Sequence, residues 1–163
     1  MTEFIEARTV KQFEHVKKLF IEYARSLHFD LHFQDFDKEI SEFPGEYAAP
    51  EGCLFLAMLH DNPVGCVALR KLSECICEMK RLYVRPDYRG RKIGKKLALM
   101  TIEKAKEMGY RWMRLDTIST MKEAIDIYRK LGFKKIEPYR HNPIDGAVFM
   151  ELALRRATRR SVV

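Results

Sequence analysis

No stretch of this 163-residue chain approaches the roughly 20 consecutive apolar residues that a bilayer-crossing helix needs. Its opening, MTEFIEARTV, carries Glu3 and Glu6 and lacks the basic flank and continuous apolar run of a secretion signal, so a cytoplasmic protein with no membrane partner is expected. Cysteine is scarce. Cys53, Cys66, Cys75 and Cys77 form no CxxC pair, Cys75 and Cys77 stand one residue apart, and no second ligand pair follows at zinc spacing. All four therefore read as small hydrophobes in or beside strand-like runs, and neither a metal nor a disulfide is expected. Internal repeats and linker-like stretches are missing too, which leaves one domain over 1–154 and a basic tail over 155–163. What remains is 47% hydrophobic and 33% charged, the balance of a globular domain. A chain of this size buries enough apolar surface to fold without staples.

Positive charge is in excess, at a formal +7. Such an excess suits a nucleic acid, a membrane surface or a polyanionic cofactor, and its distribution separates them. Between Lys80 and Lys96 stand Lys80, Arg81, Arg85, Arg89, Arg91, Lys92, Lys95 and Lys96 against the single acid Asp87. Arg155, Arg156, Arg159 and Arg160 sit in the tail. The basic loop from Arg89 to Lys95 has no interleaved aromatics and the chain no nucleic-acid reader motif, so nucleic acid is not an expected partner.

Periodicity gives the element order β-α-(α)-β-β-β-α-β-α-β-β around a mixed sheet, an α/β (mixed α+β) fold. A first strand covers Glu3 to Arg8. Thr9 and Gln12 form a capping box for a helix whose apolar face is Phe13, Val16, Phe20, Tyr23 and Leu27. Leu31 to Pro50 reads as a structured connection or lid with a short helix near Asp37 to Phe43. Cys53 to Leu59 and Val64 to Leu69 flank Asp61, Asn62 and Pro63 as a hairpin. A third run spans Cys75 to Val84 and stops at Pro86. A helix then carries Ile93, Leu97 and Met100 beside Ala98, Ile102 and Ala105, and ends at Gly109. Trp112 to Asp116 is the next strand. Thr120 with Glu123 suggests a second capping box, for a helix whose buried face is Ala124, Ile127, Tyr128 and Leu131. Strands near Lys134 to Tyr139 and Ala147 to Leu154 close the order, joined by HNPIDG.

The stretch RPDYRGRKIGKKL joins a strand to a helix through a loop holding Gly90 and Gly94. Such a junction offers backbone N–H groups and the positive end of a helix dipole to a phosphate. Arg89, Arg91, Lys92 and Lys95 add mobile charge. It is neither a Walker A loop, whose glycines lie one residue further apart, nor a GxGxxG fingerprint. On spacing alone it reads as an anion-binding loop or as a solvated basic helix start.

The segment Glu78 to Phe133 resembles the core of the GNAT superfamily of N-acetyltransferases. The signature R/Q-x-x-G-x-G/A falls on Arg89, Lys92 and Gly94, and a second one, Y-x-x-x-G-F, on Tyr128, Gly132 and Phe133. The resemblance implies a mostly antiparallel mixed sheet of six to seven strands with a splayed strand pair. It also implies acetyl-CoA as cofactor, its pyrophosphate at Arg89, Gly90, Arg91, Lys92, Ile93, Gly94 and Lys95 and its pantetheine arm along Leu82, Tyr83 and Val84. By the same resemblance Glu78 is the general base and Tyr128 the general acid of a direct attack by an amine. The ordinary alternatives are a Glu78 paired with Lys80 or Arg81 or facing water, and a Tyr128 that only packs. Two departures stand out: Lys92 occupies the signature's first glycine, and Met121 the place of an asparagine often found at that helix start. They keep a catalytically silent coenzyme A-binding module in view. The expected acceptor is a small-molecule or peptide amine, selected by Leu31 to Tyr47 and Arg140 to Gly146, and a homodimer is compatible with the reading.

Overall fold

The computed structural model describes residues 1–27, 30–31 and 35–155. Seven strands make one sheet: β1 (Glu3–Glu6), β2 (Cys53–Leu59), β3 (Asn62–Lys71), β4 (Ile76–Val84), β5 (Trp112–Ile118), β6 (Lys134–Ile136) and β7 (Ala147–Ala153). Their order is β1-β2-β3-β4-β5-β7-β6. Among the paired strands only β4 and β5 run parallel, and the connection between them is a helical crossover, as a parallel pair requires. The helices are α1 (Val10–Ser26), α2 (Phe36–Ser41), α3 (Ile93–Glu107) and α4 (Lys122–Lys130).

The central strands are buried on both faces. Cys53, Phe55 and Ala57 of β2 join a core with Leu97, Ala98 and Ile102 of α3, while Leu54 and Leu56 join one with Val16, Leu19 and Phe20 of α1. Alternation at period two delivers successive side chains to opposite cores. The α1 face carries Phe13, Val16, Phe20 and Tyr23 as predicted, with Leu19 added, while Leu27 falls just past the helix as its C-cap, and the capping box of Thr9 and Gln12 is present. Gly65 lets α3 sit close to β3, since a Cβ there would meet the Tyr83 carbonyl at 3.1 Å and Leu97 Cδ1 at 3.2 Å.

Several boundaries move. The first hairpin turns on His60 and Asp61, both left-handed at φ 48° and 65°, so Asn62 and Pro63 already belong to β3. A two-residue turn of that type matches the twist of the flanking strands. The second capping box does not form: Met121 is the N-cap of α4, with no side-chain cap bond, and Ile125 replaces Ala124 and Ile127 as the deeply buried partner of Tyr128. Cys75 is exposed ahead of β4, whereas the other three cysteines are buried. Burial pushes the Cys53 thiol up to about 12 and raises Cys66 and Cys77 as well, so these thiols stay protonated and poorly nucleophilic. Residues 32–34 of the expected lid and 156–163 of the expected tail lie outside the described residues. Among the described residues no helix is long and apolar enough to cross a membrane.

Candidate active site

β4 and β5 pair only at Ile76 with Trp112, Cys77 with Met113 and Glu78 with Arg114, although β4 continues to Val84 and β5 to Ile118. Past that point the strands part, and the sheet opens into a V. On the far side β4 stays paired to β3, with a register irregularity between Cys66 and Ala68 where Arg81 adopts a left-handed φ of 59°. Leu82, Tyr83 and Val84 therefore form one wall of an opening with no strand against it. Backbone N–H and C=O groups are obligatory hydrogen-bonding groups, so such a wall suits an extended polar ligand.

The β4 wall leads into the basic loop. Gly90 is left-handed at φ 82°, and Lys92, the N-cap of α3, at φ 63°. A left-handed N-cap explains why a glycine fits the pattern at that place. Lys92 makes no side-chain cap bond, so the first-turn N–H groups of Ile93, Gly94 and Lys95 find no acceptor within the helix. Around them Arg89, Arg91, Lys92 and Lys95 are exposed, while Arg89 Nε also donates to the Val84 carbonyl at 2.9 Å. Arg85 belongs elsewhere, bound to Glu22 of α1 at 2.9 Å. Uncapped amides under four cations fit a pyrophosphate.

Glu78 is fully buried. Its Oε1 accepts from Arg70 Nε at 2.8 Å and lies 3.9 Å from Lys80 Nζ. Its Oε2 accepts from Tyr139 Oη at 2.6 Å and from Arg140. Burial pushes the carboxyl up, but Lys80, Arg70 and Arg140 outweigh it and hold the group below its ordinary value. Glu78 is enclosed by cations rather than open to a ligand.

Where the V opens, a cavity of about 60 Å³ is lined by Lys80, Arg81, Asp116, Tyr128 and Asn142 among apolar neighbours. Tyr128 is packed edge-on against Phe133, with centroids 5.6 Å apart. Burial, then Tyr23 and Asp116, raise its phenol well above the ordinary value, so it stays protonated at neutral pH. Asp116 accepts from Asn142 Nδ2 at 3.2 Å. Arg81 forks onto Glu39 of α2 at 3.1 and 3.0 Å and lies 5.3 Å from the Phe36 ring centroid.

Of the expected site residues, Leu82 and Tyr128 line the cavity itself, Tyr83 and Val84 continue β4 toward the loop from Arg89 to Lys95, and Glu78 is buried outside that lining. Sequence reading passed over Arg70, Asp116, Tyr139 and Asn142. The available signal was a charge inside an apolar strand, as at Arg114 and Asp116 of β5. Arg140 and Asn142 come from the loop assigned to specificity, and Tyr139 from the end of the strand expected just before it.

The chain matches the acetyltransferase (GNAT) family over residues 13–133. An uncharacterised N-acetyltransferase of Schizosaccharomyces pombe is 41% identical over 140 residues, covering 85% of this chain and 86% of that protein. Among solved structures, a GNAT-family acetyltransferase of Staphylococcus aureus superposes with a TM-score of 0.78 at 24% identity, over 95% of this chain and 100% of the other. The PaiA N-acetyltransferase of Thermoplasma acidophilum, solved with coenzyme A, superposes with a TM-score of 0.71 at 18% identity, over 94% and 99%.

Proposed function

Because this chain belongs to the GNAT acetyltransferase family and is an acetyl-CoA-dependent N-acetyltransferase, we propose that it acetylates the primary amine of a small acceptor by direct attack inside the β4–β5 opening. The observation that carries this reading is the end of β4–β5 pairing at Glu78 and Arg114, beside the uncapped start of α3. Acetyl-CoA supplies the activated acetyl thioester. The amides of Ile93, Gly94 and Lys95, with Arg89, Gly90, Arg91 and Lys92, hold its phosphates, and Leu82, Tyr83 and Val84 bond the pantetheine arm.

An amine is mostly protonated at neutral pH and must lose a proton to attack. Asp116 lines the cavity and takes that proton. Tyr128 keeps its own proton at neutral pH and would donate it to the departing thiolate. The second proton that the nitrogen sheds on becoming an amide would restore the phenol, so nitrogen gains the acetyl group, sulfur gains hydrogen and the first proton stays on Asp116 until solvent removes it. Glu78 works from behind the wall as a positioning residue that fixes Arg70, Arg140 and Lys80.

Thiol release from acetyl-CoA over a panel of amines, with the N-acetyl product identified by mass, tests the proposal. The expected result is amine-dependent release. Saturable acetyl-CoA binding with no transfer to any member would overturn it.

A further inference from the structure

The cavity walls carry opposite charge in register. Glu78 and Arg114 are the last paired positions of β4 and β5. Two residues further, on the same face of each strand, stand Lys80 and Asp116. That face is the one turned from α3, since Cys77, Met79, Met113 and Leu115 enter the α3 core. Both line the cavity, the cation on one wall and the carboxylate on the other.

The cationic wall is reinforced. Arg81, held by Glu39, Arg70, held by Glu46 and Glu78, and Arg140 stand around Lys80, and Glu78 is the anion that faces it from its own strand. Burial, then Arg81, pull the Lys80 ammonium down to about 8 despite Glu78, so positive potential outweighs negative there. The left-handed turn at Arg81 places the two consecutive cations Lys80 and Arg81 at the same cavity instead of on opposite faces. On the other wall Asn142 orients the Asp116 carboxylate. Between them lie Leu27, Leu31, Leu115 and Met121. The cavity, about 60 Å³, has room for about four to six water-sized groups. That suits the five heavy atoms of an amino-acid head group and not a folded protein surface.

We infer, on the basis of the transferase reading above, that the acceptor carries a carboxylate next to its amine, as a free amino acid does, with the ammonium drawn to Asp116 and the carboxylate to the wall of Lys80 and Arg81. Opposed charges in a partly desolvated cavity select a zwitterion of one orientation, and that orientation aims the nitrogen at the β5 side, where Tyr128 stands. A carboxylate-free amine keeps the Asp116 contact and leaves the cationic wall without its ligand.

The test compares kcat/KM for the free L-amino acids, their α-amides, the corresponding decarboxylated amines such as isopentylamine for leucine, and a short peptide with a free α-amine and a lysine. The expected result is that the best acceptor is a free amino acid and that its amide and decarboxylated form are poorer by about tenfold or more. In Lys80→Met, checked for folding by the stabilisation that acetyl-CoA confers, that preference ratio falls by about tenfold while thiol release remains measurable. A peptide or carboxylate-free amine as best acceptor, an amide within about threefold of its parent acid, or an unchanged ratio in Lys80→Met overturns the inference and leaves the transferase reading standing. Silence with every amine while acetyl-CoA binds sinks the transferase reading itself.

Discussion

At the residue scale, Tyr128 separates packing from chemistry. Replacing it by Phe keeps the edge-on contact with Phe133 and removes only the hydroxyl. Turnover should fall by about 10²–10⁴-fold, the usual span for a general acid, while acetyl-CoA still raises the melting temperature as in the wild type. Unchanged turnover with chemistry rate-limiting would reduce the ring to packing. Glu78 shows the converse case. With its carboxylate gone, Arg70 and Arg140 lose their buried anion, so Glu78→Gln should cost about 3 kcal/mol of stability in urea unfolding. The folded pKa of Glu78 lies below the ordinary 4.5, so its contribution is present above that value and fades as pH falls through the folded pKa. Wild type should lose stability as pH drops below about 4.5, and Glu78→Gln should lose less over that range. Equal acid slopes would contradict the network. The sequence showed Glu78 as an odd charge in a strand. Its partners Arg70, Tyr139 and Arg140 come from a neighbouring strand and a distant loop, and no local spacing announces them.

At the element scale, the start of α3 carries the cofactor argument. Gly94 has ordinary space around it, with Val84 Cγ2 at 3.6 Å from a built Cβ, so Gly94→Asp should fold. It places a carboxylate among the first-turn amides and should abolish acetyl-CoA binding by calorimetry, whereas equal affinity would refute the loop assignment. Lys92→Gly removes a left-handed side chain worth roughly 1–2 kcal/mol of strain and adds glycine's entropy of roughly 0.5–1 kcal/mol. The net expectation is a protein about as stable or slightly more so, with a modest change in cofactor affinity; a clear drop in melting temperature would speak against the strain argument. Thr9→Ala breaks the observed capping box of α1 and should cost about 1 kcal/mol, read from the urea midpoint. The Thr9 box was legible because the helix begins directly after it. The Thr120 box failed because α4 starts at Lys122, two residues later, after a turn closed by Met121 N–H on the Ile118 carbonyl at 2.9 Å.

At the scale of the whole molecule, the order of the seven strands and four helices follows from apolar periodicity and turn residues, while their mostly antiparallel pairing is what the family resemblance implies. The loop and Tyr128 follow from motifs. The facing of Lys80 and Asp116 does not, because it depends on where two strands stop pairing, and pairing is a tertiary property that neither strand's sequence encodes alone. The same parting of β4 from β5 is the central claim, since it leaves backbone groups without a strand partner and waiting for a ligand. Amide hydrogen exchange with and without acetyl-CoA tests it most directly. Slowed exchange is expected to be concentrated in Leu82–Val84 and in Gly90–Lys95, the two stretches along the proposed path of the cofactor. Binding that leaves both segments unprotected, or protects residues elsewhere, would contradict it.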